Sequence, residues 1–181
     1  RAAQTVMYRI LDTLTRLVSP ILAFTADEIW QFMPHDSSCD TRNVIFNDMP
    51  SAKGNEDAEF MTRWDRIIAL REDAKKVLET ARSEKVIGAS LDASVKLYAT
   101  GENYEFLNSV KPMLKSVFIV SDVELINGEG GDLVGEQGIG VSAVRAEGEK
   151  CERCWSYSST VGQDSEHKTL CARCAAVINS L

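Results

Sequence analysis

The chain has 181 residues, 44% of them hydrophobic, which is enough to bury a core in one or two modest domains. Its formal net charge of −7 argues against a protein that grips nucleic acid over its whole surface, although it does not exclude a local basic stripe. No apolar run approaches the roughly 20 residues that span a bilayer, so we expect no membrane segment.

The N-terminal residues have the pattern of a helical hairpin. Residues 1–19 carry apolar side chains at three- and four-residue steps, which is typical of an amphipathic helix that ends before Pro20. A second helix is expected to begin at Thr25, which has the spacing of a capping box with Glu28, and to stop at Pro34. Because a short proline-containing link joins the two helices, we expect them to pack as an antiparallel hairpin, the repeating unit of a helical bundle.

The longest helix is expected at residues 56–86, after a polar loop at 34–55 that contains at most a short extended piece at 44–46. Gly88 is a natural C-cap for it. At about 100° per residue, four of its cations fall within a sector of about 80°, a shape that can follow a phosphate backbone. The same pattern is also typical of a solvated face with internal pairs such as Glu72–Lys76, and both interpretations are open. The four cations are Arg71, Lys75, Arg82 and Lys85.

The hydrophobic period changes to two after this helix, which predicts a small module that contains both strands and a helix. Six glycines predict a flexible acidic loop at 127–140. The expected elements are a strand at 91–97, a short helix at 103–110 ended by Pro112, a strand at 117–120 that continues at 123–126, and a strand at 141–146.

The last part of the chain carries two Cys-x-x-Cys pairs separated by sixteen residues, a spacing that is typical of a zinc site. Four thiolates at about 2.3 Å complete a tetrahedral shell and leave no position for water, so one structural Zn²⁺ per chain is expected. A disulfide framework or a redox pair is the alternative. It is disfavoured because no secretory segment is present and a redox motif would occur once, beside a βαβ unit. The expected ligands are Cys151, Cys154, Cys171 and Cys174.

These elements predict an α+β fold in three parts. The parts are an antiparallel helical bundle at 1–88, a small mixed α+β module at 89–146 and a four-cysteine zinc ribbon at 147–181. With four of the five cysteines assigned to zinc, Cys39 is left as an ordinary thiol and a reducing, cytoplasmic location is expected.

Three motifs, in order along the chain, carry a resemblance to a known family. Residues 4–30 resemble the anticodon-binding helical domain of class I aminoacyl-tRNA synthetases for Ile, Val and Leu, with Ala23 and Asp27 in place of the commoner Pro and Glu. Residues 85–93, Lys-Val-Ile-Gly-Ala-Ser-Leu-Asp-Ala, look like a junction that is strongest in the isoleucyl enzymes. The Lys-Cys-x-Arg-Cys-Trp knuckle at 150–155 is similar to the terminal zinc finger of bacterial isoleucyl-tRNA synthetases.

The resemblance implies that the chain is the C-terminal part of a longer isoleucine–tRNA ligase. The signature motifs for ATP binding in that class are absent here, so the chain alone is expected to have no catalytic residue. ATP and Mg²⁺ would bind only in the missing catalytic domain. The implied partners are tRNA(Ile) and the enzyme's own catalytic and editing domains, in a cytoplasmic monomer.

The resemblance also suggests roles for residues outside the zinc site. The basic sector of the long helix would contact tRNA phosphates, and Trp155 would either stack on an anticodon base or merely cover the sulfurs. Arg153 or Arg173 would bond a base edge or a phosphate. The expected tRNA-binding residues are therefore Arg71, Lys75, Arg82, Lys85, Arg153, Trp155 and Arg173.

A second class of function remains an alternative. The chain could be a non-catalytic zinc-ribbon module that binds another protein or a different nucleic acid. A DNA-repair glycosylase tail with a distantly similar four-cysteine finger is disfavoured, because the net charge of −7 does not supply a basic duplex-binding surface. Steep weakening by salt and dependence on anticodon bases would distinguish tRNA binding from protein docking.

Overall fold

A computed structural model of the chain describes residues 1–52 and 57–180. The chain divides into two compact units, Arg1–Glu56 and Asp57–Leu181, and each is described by itself. Within the described ranges, no helix is both long and apolar enough to cross a lipid bilayer. The end of the predicted loop and the predicted helix start at residue 56 lie outside the described residues.

The first unit contains the predicted helical hairpin, formed by α1 (Ala2–Val18) and α2 (Ala23–Phe32). Helix α2 begins before Thr25, with Leu22 as its N-cap and no side-chain cap. The predicted capping box is therefore wrong, because Thr25 already lies inside the first helical turn. The predicted extended piece is also wrong, since Val44–Phe46 forms a single 3₁₀ turn.

Trp30 is the centre of the small core in this unit. It is fully buried, and its indole N–H donates a hydrogen bond to the Asp40 carbonyl over 3.2 Å. The His35 ring centroid lies 4.2 Å from that of Trp30, and the Arg16 guanidinium lies 5.1 Å from the ring centre. Because Arg16 belongs to α1, one aromatic side chain fixes both helices and the segment that follows them.

The second unit begins with α3 (Ala58–Ser83), whose N-cap Asp57 accepts hydrogen bonds from the first-turn N–H groups of Glu59 and Phe60. The helix ends before residue 86. The predicted capping role of Gly88 is wrong, because Lys85 takes the left-handed conformation with φ of 61°. The next N–H group, that of Val86, then returns to the Ala81 carbonyl and closes the helix end.

A mixed four-stranded sheet lies beside α3 and confirms the predicted α+β class. The strand order is β2-β1-β4-β3, with β1 and β2 parallel and the other neighbours antiparallel. Helix α4 is the crossover between the parallel strands, and alternate residues of β1 are buried in one core with the apolar faces of α3 and α4. The elements are β1 (Ala93–Ala99), α4 (Gly101–Phe118), β2 (Asp122–Asn127), β3 (Leu133–Val134) and β4 (Gly140–Arg145).

The helix predicted at 103–110 is present within α4, but its predicted end at Pro112 is wrong, and so is the strand predicted at 117–120. Helix α4 continues through Pro112 and ends only at Ile119, which is left-handed with φ of 58°. A proline inside a helix costs about 3 kcal/mol, but each fully buried large apolar side chain contributes about 1.5–3 kcal/mol. Four buried side chains recur at helical spacing on both sides of the proline and outweigh that cost. They are Leu107, Val110, Leu114 and Phe118.

The C-terminal ribbon consists of two short antiparallel strands, β5 (Glu149–Lys150) and β6 (Tyr157–Ser158), followed by α5 (Ala172–Asn179). The buried Ser121 hydroxyl joins it to the sheet. This hydroxyl donates to the Leu91 carbonyl over 2.5 Å and accepts the Tyr157 N–H over 2.7 Å. The predicted domain boundaries after residues 88 and 146 stay predictions.

Asp92 organises the turn between α3 and β1. Its Oδ2 accepts the N–H groups of Gly88 and Ala89 over 3.1 and 2.8 Å, and its own carbonyl accepts the Ala146 N–H over 2.7 Å. The bond from Ala89 is the main cause of a lowered pKa for this carboxyl group. One residue, through its side chain and its main chain, therefore connects the end of α3, the start of β1 and the end of β4.

We expect Asp92→Asn to lower the free energy of unfolding by about 1 kcal/mol at pH 7, because a neutral amide accepts these bonds less strongly. A lowered folded-state pKa stabilises the fold above the unfolded value of about 3.9, and this contribution is lost as pH falls through the folded value. The difference in unfolding free energy between the wild type and Asp92→Asn should therefore shrink below about pH 4. Urea unfolding from pH 3 to 7 measures it. The exposed Asp122→Asn is the control, and equal unfolding free energies at pH 7 would contradict the assignment.

Candidate metal centre and nucleic-acid interface

Two turns bring the four cysteines of the ribbon to one point. The first pair lies between β5 and β6, while Cys171 is the N-cap of α5 and Cys174 lies in its first turn. All four sulfurs lie within 4.8 Å of one another, and those of Cys154 and Cys171 are 3.9 Å apart. A tetrahedral zinc site with bonds of about 2.3 Å places its sulfurs about 3.8 Å apart. The predicted cluster therefore has the size and donor set that Zn²⁺ requires.

The surroundings of the sulfurs favour the thiolate form at Cys151 and oppose it at Cys171. Burial, the largest single effect, opposes ionisation of Cys151, but backbone hydrogen bonds from Cys154, Cys171 and Arg153 outweigh it and lower its thiol pKa to about 6. Burial raises the pKa of Cys171 to about 11. Four crowded sulfurs need a cation before all of them can ionise, and a closed four-thiolate shell indicates a structural ion.

Trp155 follows the first cysteine pair in an unusual backbone conformation. Its φ is 62°, and its N–H donates to the Cys151 carbonyl over 2.8 Å to close the turn. A left-handed residue with a bulky side chain costs about 1–2 kcal/mol relative to the usual conformation. The side chain is 63% exposed, which favours contact with a ligand over a role in covering the sulfurs.

The two arginines of the knuckles lie in different environments. Arg153 is exposed, and among the described residues no carboxylate lies within ion-pair distance of it. Hydrogen bonding to Cys154 raises the pKa of the Arg173 guanidinium, which places this cation beside the sulfurs. Arg173 can therefore stabilise thiolate charge as well as present N–H groups to solvent.

Three of the four predicted helix cations already have acidic partners. Glu72 pairs with Arg71 at 3.3 Å and with Lys75 at 2.8 Å, and Glu79 pairs with Arg82 at 2.5 Å. Lys85 lies beyond the helix end, and no carboxylate in the described ranges pairs with it. The sector is therefore partly a solvated face of internal pairs, and its free charge is at the C-terminal end.

One detail of the predicted pairing is wrong. Lys76 pairs with Asp73 at 2.9 Å, where the sequence pattern suggested Glu72. Both acids lie on the preceding turn of α3, and Glu72 is already occupied by Arg71 and Lys75. Helical spacing identifies a set of reachable partners but does not choose among them.

Comparison with protein families accounts for most of the chain. Residues 1–97, more than half of it, match the family described as the anticodon-binding domain of tRNA ligase. The chain belongs to this anticodon-binding family. Residues 148–177, which contain all four clustered cysteines, match the zinc finger found in FPG and IleRS. This match and the sulfur geometry together indicate a structural zinc site.

Similar curated proteins carry the name isoleucine–tRNA ligase. One from Syntrophotalea carbinolica is 48% identical over 181 residues, and those from Bacillus cereus and Bacillus anthracis are 46% identical over 182 residues. Each alignment covers 98% of this chain and 19% of the relative, so the chain spans about a fifth of the length of these relatives. The family resemblance noted from the sequence is confirmed.

Sequence reasoning missed one basic residue that the fold brings close to two predicted ones. Arg145, at the end of β4, lines a cleft of about 470 Å³ together with Arg82 and Lys85. No local pattern reveals this, because about sixty positions separate Arg145 from Lys85 along the chain. A prediction that β1 pairs with β4 would have placed Arg145 near the end of α3.

Replacing Cys174 with Ser should unfold the ribbon. The ribbon is below the ~40 residues that usually fold unaided, and structural zinc supplies an apparent ~10–16 kcal/mol. We expect loss of bound zinc, measured by elemental analysis, and loss of amide hydrogen-exchange protection in α5. Protection in β1 and α4 should remain.

Cys39→Ser is the matched control, because Cys39 belongs to the first unit and lies outside the sulfur cluster. It should keep one zinc per chain. A Cys174→Ser protein that also kept one zinc and a protected α5 would show that the four-sulfur cluster is not the metal site.

Proposed function

We propose that the chain is the tRNA-binding part of an isoleucine–tRNA ligase, where it holds the anticodon stem and loop of tRNA(Ile). A catalytic region that is not in this sequence would join isoleucine to the other end of the tRNA with ATP and Mg²⁺. The family match and the relatives at 46–48% identity support this proposal. We further propose a monomeric enzyme in the cytoplasm, with this chain working beside its own catalytic and editing regions.

In this proposal Cys151, Cys154, Cys171 and Cys174 hold one structural Zn²⁺. The ion neutralises the crowded thiolates and fixes the two turns relative to each other, and it takes no part in a reaction because no coordination position is open. The helix dipole of α5 adds a favourable field, since its positive N-terminal end lies at the second cysteine pair. The zinc therefore serves recognition indirectly, by holding the residues beside it.

The observation that carries the proposal is the exposed, left-handed Trp155. Glycine would adopt its φ of 62° without strain, so the indole ring is kept in place at an energetic disadvantage. Anticodon loops are single-stranded, and proteins read them by stacking unpaired bases on aromatic or arginine planes. Such a stack contributes about 1–3 kcal/mol per base, which is of the same size as the backbone strain of about 1–2 kcal/mol and can offset it. We propose that Trp155 stacks on an anticodon base.

The basic residues would position the RNA around that stack. Arg153, two residues before the ring and free of described ion pairs, is placed to bond a base edge or a phosphate. Arg173 approaches from the second knuckle, beside Cys154. The predicted contacts from Arg71, Lys75, Arg82 and Lys85 remain part of the proposal. The first three must exchange or share their acidic partners to reach phosphate.

Binding of tRNA(Ile) should depend on both the anticodon and Trp155. We expect the zinc-loaded chain to bind a tRNA(Ile) transcript more tightly than the same transcript with one changed anticodon base. Trp155→Gly should weaken binding of the unchanged tRNA about tenfold, which corresponds to the loss of one stack. Its free energy of unfolding should stay equal or rise, because glycine relieves the left-handed strain.

The matched variant is Trp155→Phe, which keeps an aromatic plane and should retain most of the affinity. Fluorescence anisotropy with labelled transcripts measures all the binding constants at one salt concentration. Equal affinity for both transcripts would remove the anticodon-recognition proposal and favour the protein-binding or general zinc-ribbon alternative. Wild-type affinity in Trp155→Gly would remove the stacking role alone.

A further inference from the structure

Three cations from distant parts of the sequence line one open cleft of about 470 Å³ in the second unit. They are Arg82 in the last turn of α3, Lys85 just after it, and Arg145 at the end of β4. Gly88 and Asp92 also line the cleft. The cleft is separate from the cysteine cluster and contains none of the ribbon's sulfurs.

The fold itself produces this convergence. Arg145 lies directly opposite Ala93 in the β1–β4 ladder, so both side chains leave the sheet on the same side. Ala93 is buried in the core that contains the apolar face of α3, and Arg145 is therefore directed towards the end of that helix. Lys85 is turned towards the cleft by its left-handed backbone, with φ of 61°.

Hydrogen bonds hold two members of the cleft in place. Arg82 donates to Ser90 Oγ over 3.2 Å while it pairs with Glu79. Asp92 Oδ2 is occupied by the N–H groups of Gly88 and Ala89. Arg82 and Asp92 are thus held in place before any ligand binds.

The cleft carries an excess of positive charge in a chain whose net charge is −7. After the hydrogen bonds from Ala89 and Gly88, the charges of Lys150 and Arg145 also lower the pKa of Asp92, which places both cations within electrostatic reach of that carboxylate. Three cations line the cleft together with one carboxylate, that of Asp92, while Glu79 pairs with Arg82. In the described ranges, neither Lys85 nor Arg145 has a carboxylate partner within 4.0 Å.

We propose that this cleft binds one backbone phosphate of the bound RNA, with Arg145 and Lys85 as its principal contacts and Arg82 as its fixed wall. The inference rests on the proposed function, since it takes the ligand to be tRNA. A guanidinium offers a planar pair of N–H donors that matches phosphate oxygens, and an ammonium adds a compact charge. Lys150, whose charge acts on Asp92, immediately precedes Cys151 in the ribbon, so one RNA can contact both the cleft and the ribbon.

The test compares Arg145→Gln with Lys111→Gln in the zinc-loaded chain. Lys111 is an exposed cation on α4 outside the cleft, so both variants lose one charge. We expect Arg145→Gln to weaken tRNA(Ile) binding about tenfold and to reduce the slope of log K against log salt by about 0.7–0.9. Lys111→Gln should change neither quantity appreciably.

A phosphate contact carries no base information, so the loss in Arg145→Gln should be the same for the transcript with a changed anticodon base. Lys85→Gly is a second variant. This substitution removes the cation, and glycine adopts the left-handed backbone at position 85 without strain. Unfolding in urea shows whether the variant is folded, and a loss of affinity in a folded variant is then due to the missing cation. The variant counts as folded if it unfolds at the same urea concentration as the wild type or at a higher one.

The outcomes separate this inference from the proposed function. If the wild type binds tRNA(Ile) with anticodon dependence but Arg145→Gln binds as tightly as Lys111→Gln, the cleft does not bind an RNA phosphate and the proposed function stands. If the wild type does not bind tRNA(Ile), both are overturned. If inorganic phosphate shifts the NMR signals of the Arg145 side chain while tRNA affinity is insensitive to Arg145→Gln, the cleft takes free phosphate and the RNA assignment is overturned.

Discussion

Four sulfur atoms that lie within 4.8 Å of one another cannot all carry negative charge unless a cation lies among them, and the geometry of the ribbon follows from this constraint. The strands β5 and β6 pair over only two residues each, and the apolar contacts around the sulfurs are few. Such a segment has too little buried surface to offset its own conformational entropy. The position of Trp155 is therefore only as well defined as the sulfur cluster that closes its turn.

The ribbon is connected to the sheet through polar groups that are shared among elements. The Ser121 hydroxyl bonds both to the turn before β1 and to β6, and the Asp92 main chain bonds to the residue after β4. A buried hydroxyl with both a donor and an acceptor role is satisfied only in one arrangement. The end of α3, the open cleft and the cysteine knuckles thus share one rigid junction. Recognition of an extended ligand at several points requires such a junction.

Local pattern was sufficient wherever a short stretch of sequence determines the geometry. A Cys-x-x-Cys pair closes its own turn, so spacing alone predicted the sulfur cluster, and the alternating residues at 91–97 predicted β1. Local sequence pattern failed where contacts between residues far apart in the chain determine the structure. Helix α4 passes through Pro112 because buried residues on both sides hold it against the sheet. The Arg145 position follows from a strand register that no local pattern reveals.

The place of β1 in the sheet has a consequence for synthesis on the ribosome. Both of its neighbours, β2 and β4, come later in the chain, so the sheet cannot assemble until residues up to 145 have emerged. Helix α3 packs against β4, so the apolar face of α3 stays exposed to water or to a chaperone until β4 has been synthesised. The hairpin of α1 and α2 has no such dependence and can form first. The four clustered cysteines follow β4 in the chain, so the ribbon can capture its metal only after the four-stranded sheet has become able to form.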